Sequence, residues 1–235
     1  MRARIASSLS AATLAVVALA CEGRTTGLLV TGPTSDVRVR LLNALTSSQA
    51  VDLLVDGQVA ASGVAFGGAS PYVALTAGSH RLQARSSTTG TILVDQTRDL
   101  NTNGSFSFIP APGLGEQGAR LIADDPTPTA GMAEIRVVHV AAARGAVSVY
   151  VTPPAADLAA ATPVIPLLPF GLASDYVAVT PGTYRIRVTA PGNTSSVLLD
   201  MGNVTLTSGT VRTLMMTDAL GGGLPTNLSI VADTN

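Results

Sequence analysis

Residues 66–81 read Phe66-Gly67-Gly68-Ala69-Ser70-Pro71-Tyr72-Val73-Ala74-Leu75-Thr76-Ala77-Gly78-Ser79-His80-Arg81, and 104 positions later the pattern returns as Phe170-Gly171-Leu172-Ala173-Ser174-Asp175-Tyr176-Val177-Ala178-Val179-Thr180-Pro181-Gly182-Thr183-Tyr184-Arg185. Ten of these positions are identical in one register, so the chain holds the same unit twice. Upstream, Val37-Arg38-Val39 matches Ile135-Arg136-Val137 at an offset of 98, and residues 51–55 match 147–151 at 96. Downstream, Leu93-Val94-Asp95 matches Leu198-Leu199-Asp200 at 105, and Ala123-Asp124 matches Ala232-Asp233 at 109. The growth of the offset from 96 to 104 places eight extra residues between Val151 and Phe170. Pro153, Pro154, Pro163, Pro166 and Pro169 fill that stretch, which predicts a long loop with one helical turn over residues 157–161.

Within each copy the hydrophobic period is two. Val37, Val39 and Leu41 alternate with Arg38 and Arg40, which reads as a half-buried strand with guanidinium groups on its solvent face. The apolar run 51–55 ends at Asp56-Gly57, a strong hairpin signal, and residues 59–62 return from it. Strand signals follow at 72–75, 80–85, 92–97 and 105–109, separated by Ala77-Gly78, Thr89-Gly90 and Asn103-Gly104. Strands spaced by about 8–12 residues with turn chemistry between them argue for an all-β fold. The expectation is two tandem immunoglobulin-like antiparallel β-sandwich domains, 35–125 and 135–235, joined by a Pro/Thr linker over 126–134.

Arg2 and Arg4 precede an uncharged run over residues 5–20 that closes on Ala18-Leu19-Ala20-Cys21. This reads as a secretory signal over residues 1–20, too short for a permanent span. Leu19-Ala20-Cys21 resembles the bacterial lipobox, with Ala18 where Leu is usual; the resemblance implies cleavage before Cys21 and lipidation of its thiol. Cys21 is the sole cysteine, so no disulfide competes for it. Residues 21–34 then form a Gly/Thr-rich tether, with 28–31 able to add a strand. By resemblance to enterobacterial lipoprotein sorting, where Asp after the Cys favours inner-membrane retention, Glu22 at that position leans toward the outer membrane or cell surface. The predicted location is therefore exported and lipid-anchored, with the membrane as a partner through Cys21.

Only 12% of residues are charged and 3% aromatic, and all 14 basic residues are arginine. The absence of lysine excludes Schiff-base, Ser-x-x-Lys and Walker-type phosphate chemistry. A formal charge of −1 with scattered arginines predicts no nucleic-acid partner.

The pieces Ile135-Arg136-Val137-Val138-His139, Val51-Asp52-Leu53-Leu54-Val55-Asp56-Gly57, and the Phe-Gly-x-Ala-Ser-x-Tyr-Val-Ala stretch of each copy resemble a bacterial domain-of-unknown-function family, number 4397, known from cell-surface proteins and lipoproteins. The resemblance covers both repeats. It implies a β-sandwich-like surface module and supplies no catalytic residues. The first repeat has Leu41 where this comparison puts His139, and the second has Thr152-Pro153-Pro154 in place of the Asp-Gly turn.

Site chemistry is sparse. His139, aligned with Leu41, reads as a core histidine, and His80, aligned with Tyr184, as inward or at an edge; two His in separate domains with no second Cys make no zinc site. Asp124, Asp125, Asp95 and Asp200 lie outside any Asp-x-Asp-x-Asp-Gly loop, so no calcium or other cofactor is expected. Ser70 and Ser174 lack a Gly-x-Ser-x-Gly elbow and read as turn residues. Tyr72 and Tyr176 are either sugar-stacking platforms or, as preferred here, buried rings with bonded hydroxyls. Arg81, Arg85, Arg185 and Arg187 mark a solvent face paired with carboxylates. The resulting function is a non-catalytic binding, adhesion or stalk unit that meets an envelope protein or glycan. Its candidate contact loop carries Pro153, Pro154, Asp157, Pro163 and Pro166. The alternative is an envelope hydrolase of glycans or esters using Asp95 and Asp200.

Overall fold

The structure is a computed structural model that describes residues 37–233 apart from 102, 116, 117 and 126. Cys21, the signal segment and the tether lie outside the described residues, so those expectations are not met or refuted by it. Every regular element among the described residues is a strand. Repeat 1 contributes β1 (Val37–Leu41), β2 (Ala50–Val55), β3 (Gln58–Ala65), β4 (Val73–Leu75), β5 (Gly78–Ser86), β6 (Ile92–Leu100), β7 (Gly104–Pro110) and β8 (Ala119–Asp124). Repeat 2 contributes β9 (Ala133–Val140), β10 (Val147–Thr152), β11 (Ile165–Leu168), β12 (Val177–Val179), β13 (Gly182–Thr189), β14 (Val197–Leu206), β15 (Val211–Thr217) and β16 (Asn227–Ala232).

Each repeat forms two four-stranded sheets, ordered β4-β1-β7-β8 and β3-β2-β5-β6 in the first and β12-β9-β15-β16 and β11-β10-β13-β14 in the second. The two repeats are thus strand-for-strand copies, each a sandwich rather than a barrel. All ladders are antiparallel except β1 with β7 and β9 with β15. Those are parallel because the chain leaves β1 or β9 for the opposite sheet and returns only after a long crossover, the connection a parallel pair requires. Asp56 and Gly57 take positive φ of 51° and 80°, as the primed two-residue hairpin demands.

Each sandwich has its own apolar centre. Val39, Leu41, Val51, Leu53, Leu82 and Phe108 fill the first, and Ile135, Val137, Val149, Ile186, Leu214 and Met216 the second. A third cluster, with Leu42, Ile109, Val138, Val140, Met215 and Val231, draws on both repeats. Its members alternate with core residues along β1, β7, β9 and β15. The β4-β1-β7-β8 sheet therefore buries its outer face against the β12-β9-β15-β16 sheet. Both repeats accordingly belong to one compact unit, Pro33–Asn235.

Three sequence expectations change. First, β1 is no half-buried strand with arginines to solvent: Arg38 is exposed, but Arg40 is 1% exposed because its face meets the other repeat. Second, β1 aligns with β9 at an offset of 96, not 98. Ser70 N bonds Leu41 O as Ser174 N bonds Val137 O, and Gly67 N bonds Asn43 O as Gly171 N bonds His139 O. His139 therefore corresponds to Asn43, not Leu41. A slip of two residues leaves every side chain on its own face, so the period-two pattern alone cannot detect it. Third, residues 157–161 form no helical turn. Ala159 N bonds Asp157 Oδ1 and Ala161 N bonds Leu158 O, which are successive turns, and Pro166 lies within β11. Proline is tolerated there because β11 is an edge strand.

Gly113 sits where the repeats touch: a Cβ on it would lie 3.2 Å from both Ala142 Cβ and Phe170 Cζ, whereas one on Gly57 would meet nothing. Both have positive φ, which costs about 1 kcal/mol for alanine. Gly113→Ala should therefore lower the urea midpoint clearly more than Gly57→Ala; equal losses would show that the inter-repeat contact is loose.

Candidate functional site

The densest polar chemistry lies between the repeats. Arg40 on β1 donates from Nη2 to Asp233 Oδ1 (2.7 Å), from Nη1 to Ala232 O (2.6 Å) and from Nε to Ser107 Oγ (2.8 Å). Arg136 on β9 repeats this in reverse: Nη2 to Asp124 Oδ1, Nη1 to Ala123 O (2.9 Å) and Nε to Thr213 Oγ1 (2.8 Å). Each arginine thus reaches the aspartate at the end of the other repeat's last strand. Within each repeat the aspartate is held in turn. Asp124 Oδ2 accepts from Ser107 and from the Tyr72 hydroxyl, and Asp233 Oδ2 accepts from Thr213 and the Tyr176 hydroxyl, each at 2.7 Å. The Tyr72 and Tyr176 rings also lie under the Arg40 and Arg136 guanidinium groups, at 4.8 and 4.7 Å.

All four charged side chains are buried, and their charges cancel. Burial opposes the Arg40 charge, but Asp233 and Asp124 outweigh it and raise its pKa. Burial is likewise the leading reason that both tyrosine hydroxyls titrate above their ordinary value. The hydroxyls of Tyr72 and Tyr176 are bonded as expected, but the two residues are half-buried rather than buried. Asp124, which the sequence leaves outside any calcium-binding loop, is 7% exposed and lies between Arg136 and Arg40.

The other named residues are separate from this cluster. Ser70 and Ser174 each accept from the N–H of Leu41 or Val137 and donate to the carbonyl of the next residue. Asp95 pairs with exposed Arg81, and Asp200 with exposed Arg185. Those bonds lower both carboxyl pKa values, the direction opposite to what a general acid needs. Arg85 pairs with Asp52, but Arg187 is not on a solvent face: it is 7% exposed, donating to Thr152 Oγ1 and Ala156 O at the base of the long loop. Of that loop, Pro153 and Asp157 are exposed, Pro154 and Pro163 half-buried, and Leu158 tucks inward. Among the described residues no group of three or more His, Cys, Asp or Glu is placed to hold a metal.

The histidines differ. His80 donates from Nδ1 to Asp56 Oδ2 (2.7 Å) and from Nε2 to Thr76 O (2.9 Å); two acceptors call for both ring protons. The Asp56 bond is the main reason its pKa is raised. His139, fully buried, donates from Nε2 to Gly145 O (2.8 Å) and accepts at Nδ1 from Ala141 N (3.3 Å), so it is neutral, and burial lowers its pKa.

Two solvent-open grooves were not anticipated. One of about 460 Å³ lies between β3 and β4 and is lined by Ala61, Val64, Ala69 and Pro71 among others. Its counterpart, about 410 Å³, lies between β11 and β12, with Ile165, Leu167, Leu172 and Ala173. Their linings correspond at the offset of 104 that defines the repeat. The walls of the first are mostly apolar, and Ser174 and Asp175 add polar groups to the second.

Residues 37–150 match the domain of unknown function DUF4397. The match runs from β1 through repeat 1 and the linker into β10. Those residues are therefore similar to that domain, and the internal repeat extends the same strand pattern to β16. A comparison with curated proteins finds no match. Among solved structures, the crystal structure of CBMbc (family CBM26) from Eubacterium rectale Amy13K in complex with maltoheptaose is 13% identical. The alignment covers 84% of this chain and 98% of that one, with a TM-score of 0.27, too low for the two folds to superpose as wholes.

Two predictions follow from these contacts. Arg136→Met removes the cross-repeat partner of Asp124 and leaves Arg40 Nε, 3.5 Å away, as its remaining cation, so it should cost about 3 kcal/mol of unfolding free energy. Arg185→Met, at an exposed pair, should barely move the same denaturation curve. For pH, a raised His80 pKa means stability present below the unfolded value of 6.5 and lost as pH rises through the folded value. A lowered His139 pKa means stability present above 6.5 and lost as pH falls through the folded value. In urea titrations from pH 5 to 8, His139→Asn should flatten the acid-side loss and His80→Asn the alkaline-side loss; interchanged effects would refute the assigned protonation states.

Proposed function

We propose that this chain is an exported, lipid-anchored protein of the bacterial outer membrane or cell surface, whose paired sandwiches form a rigid, non-catalytic binding or spacer block. The crossed Arg40–Asp233 and Arg136–Asp124 pairs are the observation that carries this reading. A buried, mutually satisfied network at the centre of the molecule rigidifies it and offers no free acid, base or nucleophile to a substrate. The lone Cys21 after Leu19-Ala20 supports the anchor, and the Arg-bound states of Asp95 and Asp200 weigh against the hydrolase alternative. Contact with an envelope protein or glycan is assigned to the loop between β10 and β11, which repeat 1 replaces by a two-residue turn.

Tritiated palmitate labelling with protease shaving of intact cells tests placement. Wild type should incorporate label and be shaved, while Cys21→Ala should do neither and be released or unprocessed. If neither protein takes up lipid, the anchored reading fails. Replacing the exposed Pro153, Asp157 and Pro166 by alanine, which leaves the Thr152 and Ala156 bonds to Arg187 in place, should preserve the unfolding transition and weaken sedimentation with isolated cell envelopes. Undiminished sedimentation of a folded variant would remove the loop from the assignment.

A further inference from the structure

We infer that His139 is an acid-sensitive latch on one side of the contact between the repeats: its neutral ring holds the part of repeat 2 on which Gly113 and Arg120 of repeat 1 are seated, and gain of a proton at Nδ1 loosens that seat while the equivalent seat held by Asn43 stays closed.

The ring acts through the segments it ties together. Buried at the end of β9, it donates from Nε2 to Gly145 O (2.8 Å) and accepts at Nδ1 from Ala141 N (3.3 Å), so it spans the loop between β9 and β10. Its backbone accepts from Gly171 N (2.7 Å) and donates to Leu172 O (2.9 Å), and its ring meets the Phe170 ring edge-on with centroids 5.8 Å apart. Those two segments are what repeat 1 touches. A Cβ on Gly113 would lie 3.2 Å from both Ala142 Cβ and Phe170 Cζ, and Arg120 Nε donates to Gly171 O (2.9 Å). A proton on Nδ1 turns the ring's one acceptor into a donor aimed at the Ala141 N–H, and two donors cannot share that position. The loop must then shift, and the Phe170 turn that leans on the same ring shifts with it.

The charged groups on the elements around the ring are Asp218 after β15, Arg144 on the loop itself and Arg120 on β8 of repeat 1. Burial opposes the imidazolium most strongly, while the Gly145 carbonyl and Asp218 favour it. Asp218, itself buried, accepts from Ala143 N (3.1 Å) in the same loop, so a counter-charge for the protonated ring is already beside it. The other repeat supplies the contrast. Asn43 stands in place of His139, with Oδ1 accepting from Leu45 N and Nδ2 donating to Val64 O, and the loop it holds receives Gly221 N of repeat 2 at Thr46 O (2.8 Å). An amide gains no proton near neutral pH, so only one of the two equivalent seats responds to acid.

The test is amide hydrogen exchange followed by NMR on the full chain in detergent, expressed as protection relative to the unfolded chain at each pH, from about pH 8 to about pH 4. On the acid side, protection at Ala141, Ala143 and Gly171 should fall about tenfold, the loss expected of one hydrogen bond, with a midpoint below 6.5, while Leu45, Gly67 and Gly221 keep theirs. His139→Asn, which copies Asn43, should hold the first group protected throughout. Loss at both seats together, or a loss at the first that persists in a folded His139→Asn variant, overturns the inference, because acid would then be acting on the buried Arg–Asp cluster. Unchanged protection at both seats overturns it as well. The contrast between the two seats in wild type decides the matter even if the variant does not fold.

Discussion

Four charges buried between two β-sheets constrain this molecule more than any other interaction. Taking a guanidinium or carboxylate out of water is costly, and the attraction between the pair offsets that cost only when the remaining hydrogen-bonding groups are also satisfied. Here Ser107, Thr213, Tyr72, Tyr176 and the carbonyls of Ala123 and Ala232 supply those bonds. A network of this kind adds less net stability than an apolar contact of equal area. What it adds is specificity, because an offset or rotated packing of the same two faces strands a charge. The apolar ring around it, Leu42, Ile109, Val138, Val140 and Met215, supplies the non-directional part of the stabilisation.

From that constraint the rest of the layering follows. The faces that carry Arg40 and Arg136 are committed to each other, so the two inner sheets lie back to back and the outer sheets, β3-β2-β5-β6 and β11-β10-β13-β14, remain toward solvent. The outer sheets carry the exposed pairs Arg81–Asp95 and Arg185–Asp200, which are screened and weakly coupled to stability. Divergence between the repeats is concentrated away from the network. The β2–β3 hairpin became the long β10–β11 loop, and the turn after β1 is organised by Asn43 where the turn after β9 uses His139. Asn43 Oδ1 accepts from Leu45 N as His139 Nδ1 accepts from Ala141 N, and each side chain donates to a backbone carbonyl. An amide and a neutral imidazole serve one geometry, but only the imidazole titrates near neutral pH.

The strands and the duplication were legible in the sequence because both are one-dimensional patterns. Alternation along residues 37–41, the Asp56-Gly57 turn, and ten identities at offset 104 each report local structure. The inter-repeat network was not legible, although its parts had been noticed: Arg40 as half of a guanidinium face, Asp124 and Asp233 as a match at offset 109. A strand with arginines on one face and valines on the other reads the same whether the arginines meet water or aspartates of a second sheet. The information that separates these cases is the carboxylate's position across a sheet-to-sheet contact, and no periodicity encodes it. The slip from 96 to 98 in aligning β1 has the same origin, since two residues are one full period.

The charge-poor composition acquires a physical sense in this light. With few ionisable groups in the chain, committing Arg40, Arg136, Asp124 and Asp233 to the interior, and Arg81, Arg85, Arg185, Asp52, Asp95 and Asp200 to local pairs, leaves a surface made largely of hydroxyls, backbone edges and small apolar side chains. Such a surface generates little long-range field, so it neither steers charged ligands from a distance nor repels a like copy strongly. On the proposed binding reading, recognition on it would depend on shape at close range, in the grooves beside β4 and β12 and along the loop after β10. Shape recognition at close range requires walls that hold their positions. In this molecule that rigidity comes from pairing the two sandwiches through one four-charge cluster, in which Arg40 also lies 3.5 Å from Asp124 and Arg136 3.7 Å from Asp233.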